Sequence, residues 1–185
     1  MKKNFLNKII IFSIYIILLI LIYYFYNDYN KKIIDKSKVV NFFDTVNESN
    51  RKQDDYIAVI QIPKINLEKG IYNIDNPLNN VDKNIAVLRE TIWPDQKNSH
   101  IILASHSGNS DISYFKKLNK LKINDEIYFY YNNKKYVYSI NNIYEVEKRK
   151  YINLDLSNDD ISLITCKGKN NQIIYHGKLN KILNI

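Results

Sequence analysis

The sequence predicts an all-β domain, a barrel or a sandwich, carried behind a single N-terminal transmembrane helix. Three observations lead there. Residues 9–26 are uncharged and almost wholly apolar. From Tyr56 onward at least eight short β-type runs follow at close spacing. Between them lies a polar, charged stretch, residues 27–55. The expected division is therefore a tip and anchor over 1–26, a stalk over 27–55, and a folded domain over 56–185.

The anchor comes first. Eighteen helical residues span about 27 Å, close to the roughly 30 Å of a bilayer core. Ser13 is the only small polar residue in the stretch, and Tyr23, Tyr24 and Tyr26 mark its far end, where amphipathic rings favour an interface. A cleaved signal peptide would have a shorter apolar run and small residues at the cut site. Here the bulky YYFYNDYN follows instead. Lys2, Lys3 and Lys8 precede the helix, which suggests a cytoplasmic tip, although Lys31, Lys32, Lys36 and Lys38 follow it. A very short leading tail is usual for a signal-anchor, so the domain is expected outside the cell.

Within 27–55, Val39, Val40, Phe42, Phe43 and Val46 form a weak helical stripe. It predicts one short helix able to dock on the domain. The β-type runs are 57–62, 65–67, 85–88, 100–104, 126–131, 136–140, 143–146, 161–165 and 172–177. Pro63 should end a strand or sit on an edge, because it cannot donate to a ladder. Asn132, Asn133, Lys134 and Lys135 read as a polar hairpin connection. Only 113–121, through Tyr114, Leu118 and Leu121, has helical spacing.

The net charge is +8. No basic helix or zinc spacing supports a nucleic-acid partner. An anionic membrane and wall nearby, or simply a Lys- and Asn-rich composition, accounts for the charge. A single cysteine, Cys166, rules out a disulfide within the chain. The roughly 130 residues after the stalk are enough to bury a core without one.

Cys166 ends the apolar run ISLIT and opens into KGKNNQ, so a strand end would present it at a rim. Taken alone, a cysteine beside an apolar strand is more often packing than nucleophile. His106 sits in SHSGNS after the apolar run HIILA, a loop of small residues from which an imidazole can reach a neighbouring strand end. A cysteine nucleophile needs its thiolate, and a nearby imidazolium both stabilises that thiolate and can protonate a leaving amine. His100 and His176 lie within or at the end of strands and read as structural. One Cys and three scattered His offer no usual metal-ligand spacing, the four glycines form no phosphate loop, and there is no GxSxG elbow. Asp155, Asp159 and Asp160 are the nearest approach to an acidic cluster, and read as a solvated loop.

These segments resemble the bacterial sortase family, B- or D-like in class. YIAVIQIPKINLEKGIYN is similar to its opening strands, ILASHSGNS to its histidine loop, and SLITCKG to its (T/S)LxTC strand end. The resemblance covers about 56–180. It implies a closed eight-stranded β-barrel with short helices and a site at one rim. It implies a cysteine transpeptidase that cleaves a C-terminal LPxTG-like sorting signal through a thioester acyl-enzyme. The protein would pass to an amine of a peptidoglycan precursor or a pilin. Cys166 would be the nucleophile and His106 the general acid and base, with Ser105 and Thr165 beside them in the substrate groove. No cofactor is implied, calcium activation aside. The family's arginine on the following strand has no counterpart: counting back from Gly177 reaches Gln172. Of the three arginines, Arg51, Arg89 and Arg149, none lies in that strand. Gln172 is the expected substitute, with Arg149 a weaker one. The missing arginine also leaves open a non-catalytic or hydrolytic module of surface-protein or pilus assembly.

Overall fold

A computed structural model describes residues 2–44, 56–148 and 159–185. The chain forms two compact units, residues 1–37 and 38–185.

The first unit is helical. Helix α1 runs unbroken over Lys2–Asp44, because no Gly or Pro interrupts 27–44. The short stalk helix expected from the sequence is thus the end of the same helix. The apolar side chains of 9–26 are exposed all round. Asn7–Asp44 contains an 18-residue window of mean hydropathy 2.6, long and apolar enough to cross a membrane. Ser13 Oγ donates to Ile10 O at 2.8 Å, so the one small polar side chain there is satisfied within its own helix.

The second unit starts with the last turns of α1. Val39 and Phe42 are buried in a cluster with Tyr56, Val59, Tyr72 and Tyr130, against which Phe43 and Leu78 also pack. Val40 is exposed, and Val46 lies outside the described residues.

Eight strands follow in one mixed sheet: β1 (Ala58–Ile62), β2 (Leu67–Ile71), β3 (Ala86–Val87), β4 (His100–Ala104), β5 (Glu126–Tyr131), β6 (Lys134–Glu147), β7 (Asp160–Lys167) and β8 (Asn171–Asn184). The order is β2-β1-β5-β6-β8-β7-β4-β3. Every pairing is antiparallel except β4–β7. The sheet curls into a nearly closed barrel around Ile60, Leu103, Phe115, Phe129, Tyr138 and Leu163. Closure stops short of a ladder, since β2 and β3 end the order without pairing. Side chains bridge the gap instead. Asn84 Nδ2 donates to Gly70 O at 2.9 Å. Asn79 accepts from Val87 N and donates to Val87 O, at 2.7 and 3.0 Å, as a strand neighbour would.

Three local readings change. The runs 136–140 and 143–146 are one strand, β6, whose register shifts between Ile140 and Asn142. The polar pair Asn141-Asn142 that looks like a break is a bulge. The segment 113–121 forms turns and a 3₁₀ helix at Leu118–Lys120 rather than an α-helix. Its buried residues Phe115, Leu118 and Leu121 recur every three positions, the 3₁₀ repeat. The β5–β6 hairpin turns on Asn132-Asn133 alone, with φ of 45° and 60°. Tyr131 pairs directly with Lys134, a type I′ geometry that asparagine tolerates. Pro63 opens a 3₁₀ turn, Pro63–Ile65, directly after β1.

Candidate active site

The site is built where the parallel pair β4–β7 runs out. The last paired residues are Ala104 and Ile164. Side chains and backbone tie the next residues together. Ser105 N donates to Ile164 O at 3.3 Å. Thr165 Oγ1 donates to Ser105 O at 2.7 Å. Ser107 Oγ donates to Cys166 O at 2.7 Å. These bonds bring the loop that carries His106 alongside the end of β7 that carries Cys166.

Strand β7 continues through Cys166 to Lys167, further than the apolar run suggests. Cys166 is therefore a strand residue with a direct cross-strand partner, and that partner is Gln172. Gly168, at φ 64°, starts the short connection to β8. Directly opposed residues of an antiparallel pair project from the same face, with Cβ atoms about 4.5–5.5 Å apart. Cys166, Gln172 and Ile164 thus share a face. On it Ile102, Ile164 and Ile174 form a buried apolar strip, bordered by Leu88, Ala104, Tyr144 and Val146. Burial raises the Tyr144 phenol above its ordinary range.

Cys166 is exposed. Among the described residues its sulfur makes no hydrogen bond, and His106 turns elsewhere: Nε2 lies 2.9 Å from Asp82 Oδ1. The His106 backbone is held by Phe115 N donating to its carbonyl at 3.0 Å. Asp82 carries no motif that could have marked it. It stands beside His106 because β3 runs antiparallel to β4, with Ala86 opposite Ala104, so the residues before Ala86 pass back along those after Ala104.

Ser105 and Thr165 are buried. Strand alternation turns Thr165 to the interior side with Leu163, and its hydroxyl is committed to Ser105 O. The Thr165 hydroxyl and the Ser105 backbone thus tie β7 to β4. Of the arginines, Arg89 pairs loosely with Asp75 at 4.0 Å, on the end of β3 that leads away from His106. Arg51 and Arg149 lie outside the described residues.

His100 and His176 sit in a polar chain: His100 Nε2 to Ser162 Oγ at 2.9 Å, Ser162 Oγ to His176 Nδ1 at 3.1 Å, and His176 Nε2 to Asp160 Oδ2 at 3.1 Å. Ser162 and His100 are fully buried, which suits a structural tie between strands. Asp159 is exposed at a bend, as the solvated-loop expectation has it, and Asp160 corrects that expectation. Asp160 is 1 % exposed within β7, and Asp159 accepts from Ser99 N and Oγ. Asp155 is outside the described residues. No group of three or more metal-ligating side chains occurs among the described residues.

Three comparisons bear on this geometry. The sortase-domain family model matches residues 60–180, well over half of the chain. Sortase A of Bacillus anthracis is 27% identical over 146 residues, covering 76% of this chain and 67% of that protein. By fold, the chain is similar to the Clostridium perfringens sortase D5 transpeptidase, with a TM-score of 0.64, 24% identity, and coverage of 80% of this chain and 99% of that one. It is also similar to sortase A from Corynebacterium diphtheriae, with a TM-score of 0.63, 23% identity, and coverage of 76% and 69%. On the family match, with the barrel and the strand order behind it, the chain belongs to the sortase family of cysteine transpeptidases.

Proposed function

We propose that this chain is a membrane-anchored transpeptidase that cuts an LPxTG-like C-terminal sorting signal with Cys166. The carrying observation is that Cys166 and Gln172 are direct cross-strand partners on one face, with the His106 loop tied to Cys166 O through Ser107. The family membership supplies the reaction class. In the proposed cycle the Cys166 thiol gives its proton to His106, and the thiolate adds to the carbonyl of the signal's threonine. The Thr–Gly bond breaks, the glycine amine leaves with the proton from His106, and a thioester remains on Cys166. An amine from a peptidoglycan precursor or a pilin then attacks the thioester, forming a new amide and releasing the thiol. Gln172 takes the place of the family's arginine, its NH₂ donating to the oxyanion. The apolar strip from Ile102 to Ile174 offers an extended peptide a floor beside Cys166. The anchor is read as one membrane crossing, with residues 56–185 as the extracellular catalytic domain.

The test uses the full chain in detergent micelles with an LPxTG-like peptide and a small amine, read by mass spectrometry. Wild type should show a thioester adduct and an amine-transfer product. Cys166→Ala should show neither, and His106→Ala should lose product. A normal rate of acylation in His106→Ala would overturn the role given to His106.

One observation favours a second reading: the neutral Gln172 stands where the family has a cation. In that reading the same barrel binds sorting signals without reacting, or resolves the thioester with water. A thioester lost to water at every amine concentration identifies the hydrolase. Absence of any adduct across several sorting motifs identifies the binding module.

A further inference from the structure

We propose that Asp82 is a positioning residue for His106, fixing which ring nitrogen is left to serve Cys166. The proposal rests on the reading of His106 as the acid–base partner of Cys166. The observation is the 2.9 Å contact between Asp82 Oδ1 and His106 Nε2. A carboxylate at ordinary pH can only accept, so Nε2 must carry the hydrogen. Nδ1 is then the nitrogen without a proton in the neutral ring. It makes no hydrogen bond among the described residues, so it remains able to take the thiol proton. Once it does, the imidazolium rests against a carboxylate in a charge-assisted hydrogen bond.

The loop that carries Asp82 is built to hold it in place. Asp82 N donates to Asn80 Oδ1 at 2.8 Å. Lys83 N and Asn84 N both donate to Asn80 O, at 2.9 and 2.8 Å. On either side, Asn79 is bonded to β3 and Asn84 to β2. Leu78 packs into the cluster of Val39, Phe42 and Tyr72. The turn is therefore pinned by its backbone and its asparagines, while the Asp82 carboxylate bonds only His106 among the described residues. Lys83 does not neutralise it, because its ammonium reaches Pro77 O at 3.3 Å. The His106 ring has little else to orient it, being 39% exposed, with Asp82 at 73%. Solvent screening keeps the expected effect far below the roughly 10⁴-fold of a buried triad aspartate. A loss of about three- to tenfold in kcat with KM unchanged is expected, a discount from that buried case.

The experiment compares wild type, Asp82→Ala and Asp82→Asn as full chains in micelles with ¹⁵N-labelled histidine. Ring nitrogen shifts give the tautomer of His106, and peptide transfer gives kcat and KM. Wild type should hold the neutral ring in the Nε2–H form. Asp82→Ala should mix the two tautomers and lose kcat. Asp82→Asn, whose amide oxygen still accepts, should keep the tautomer and recover part of kcat. Unchanged tautomer populations in Asp82→Ala overturn the proposal, as does a loss confined to KM. If wild type forms no thioester, the reading of His106 fails separately, while the tautomer ratio still decides whether Asp82 orients the ring.

Discussion

Replacing Gln172 tests whether a neutral amide can stand in for a cation in this family. Its position is fixed by register: Gln172 directly opposes Cys166, with a Cβ separation of about 4.5–5.5 Å. A glutamine amide on that Cβ can reach an oxygen on the carbon bonded to Cys166 Sγ. Removing a well-buried oxyanion donor costs roughly 2.7–4 kcal/mol. Gln172 is only half-buried, so water replaces part of what is lost. About 1–2.5 kcal/mol is the corresponding expectation, or roughly 5- to 70-fold in rate. Gln172→Ala should lower the rate of thioester formation by that factor with an unchanged melting temperature. Gln172→Arg should raise the rate above wild type, since a cation donates a stronger hydrogen bond to an oxyanion. The assay is single-turnover acylation by an LPxTG-like peptide, quenched and read by mass spectrometry. Unchanged acylation in both variants would refute the reasoning and leave Gln172 as a packing residue.

Three further outcomes are expected. A Cβ on Gly70 would meet the Tyr56 ring at 1.9 Å, so Gly70→Ala should destabilise the domain by about 3 kcal/mol in urea unfolding. The double variant with Tyr56→Ala should be no less stable than Tyr56→Ala alone, because the clash is then gone. The Tyr138 hydroxyl is buried without a partner among the described residues, and burial pushes its phenol far above the ordinary range. Tyr138→Phe should therefore be neutral or stabilising by up to about 1 kcal/mol, and a loss larger than that would show an unrecognised partner. The Lys167 ammonium donates to Glu145 and holds its carboxyl below the usual range. Because the folded-state value is depressed, the pair's stabilisation is present above the unfolded value of about pH 4.3 and is lost as pH falls through the folded value. Melting temperatures of wild type and Lys167→Ala should thus differ slightly at neutral pH and converge in acid. A gap that persists in acid would mean that Lys167 acts through packing.

Much of the fold was legible because its signals are local. Apolar runs such as 100–104 and 126–131 coincide with β4 and β5, since a short apolar, β-prone run is defined by neighbouring residues alone. The apolar helix declared itself by length and composition. Misreadings arose where tertiary packing overrode a local cue. Asn141-Asn142 suggested a break, yet β6 continues through a bulge because both ends pair with β8. Asp160 looked solvated, yet it lies in β7 against His176, where a partner makes a buried carboxylate tolerable.

By itself the sequence determined the long apolar helix, the strand-rich domain and the strand-end settings of Cys166 and His106, all properties of short contiguous segments. The family resemblance also pointed to Gln172, in β8, as the expected substitute for the family's arginine. Only the tertiary structure decided what stands beside what. The parallel β4–β7 pairing carries the His106 loop to the Cys166 end of β7, where Ser107 bonds Cys166 O, and the β7–β8 register sets Gln172 opposite Cys166. The antiparallel return of β3 delivers Asp82 to the imidazole from 24 residues upstream. Thr165, adjacent to Cys166 in sequence, turns to the other face of β7, where its hydroxyl donates to Ser105 O. The reason is physical: a strand alternates its side chains between two faces. Adjacency along the chain therefore separates residues that the sheet, through its register, brings together from a distance.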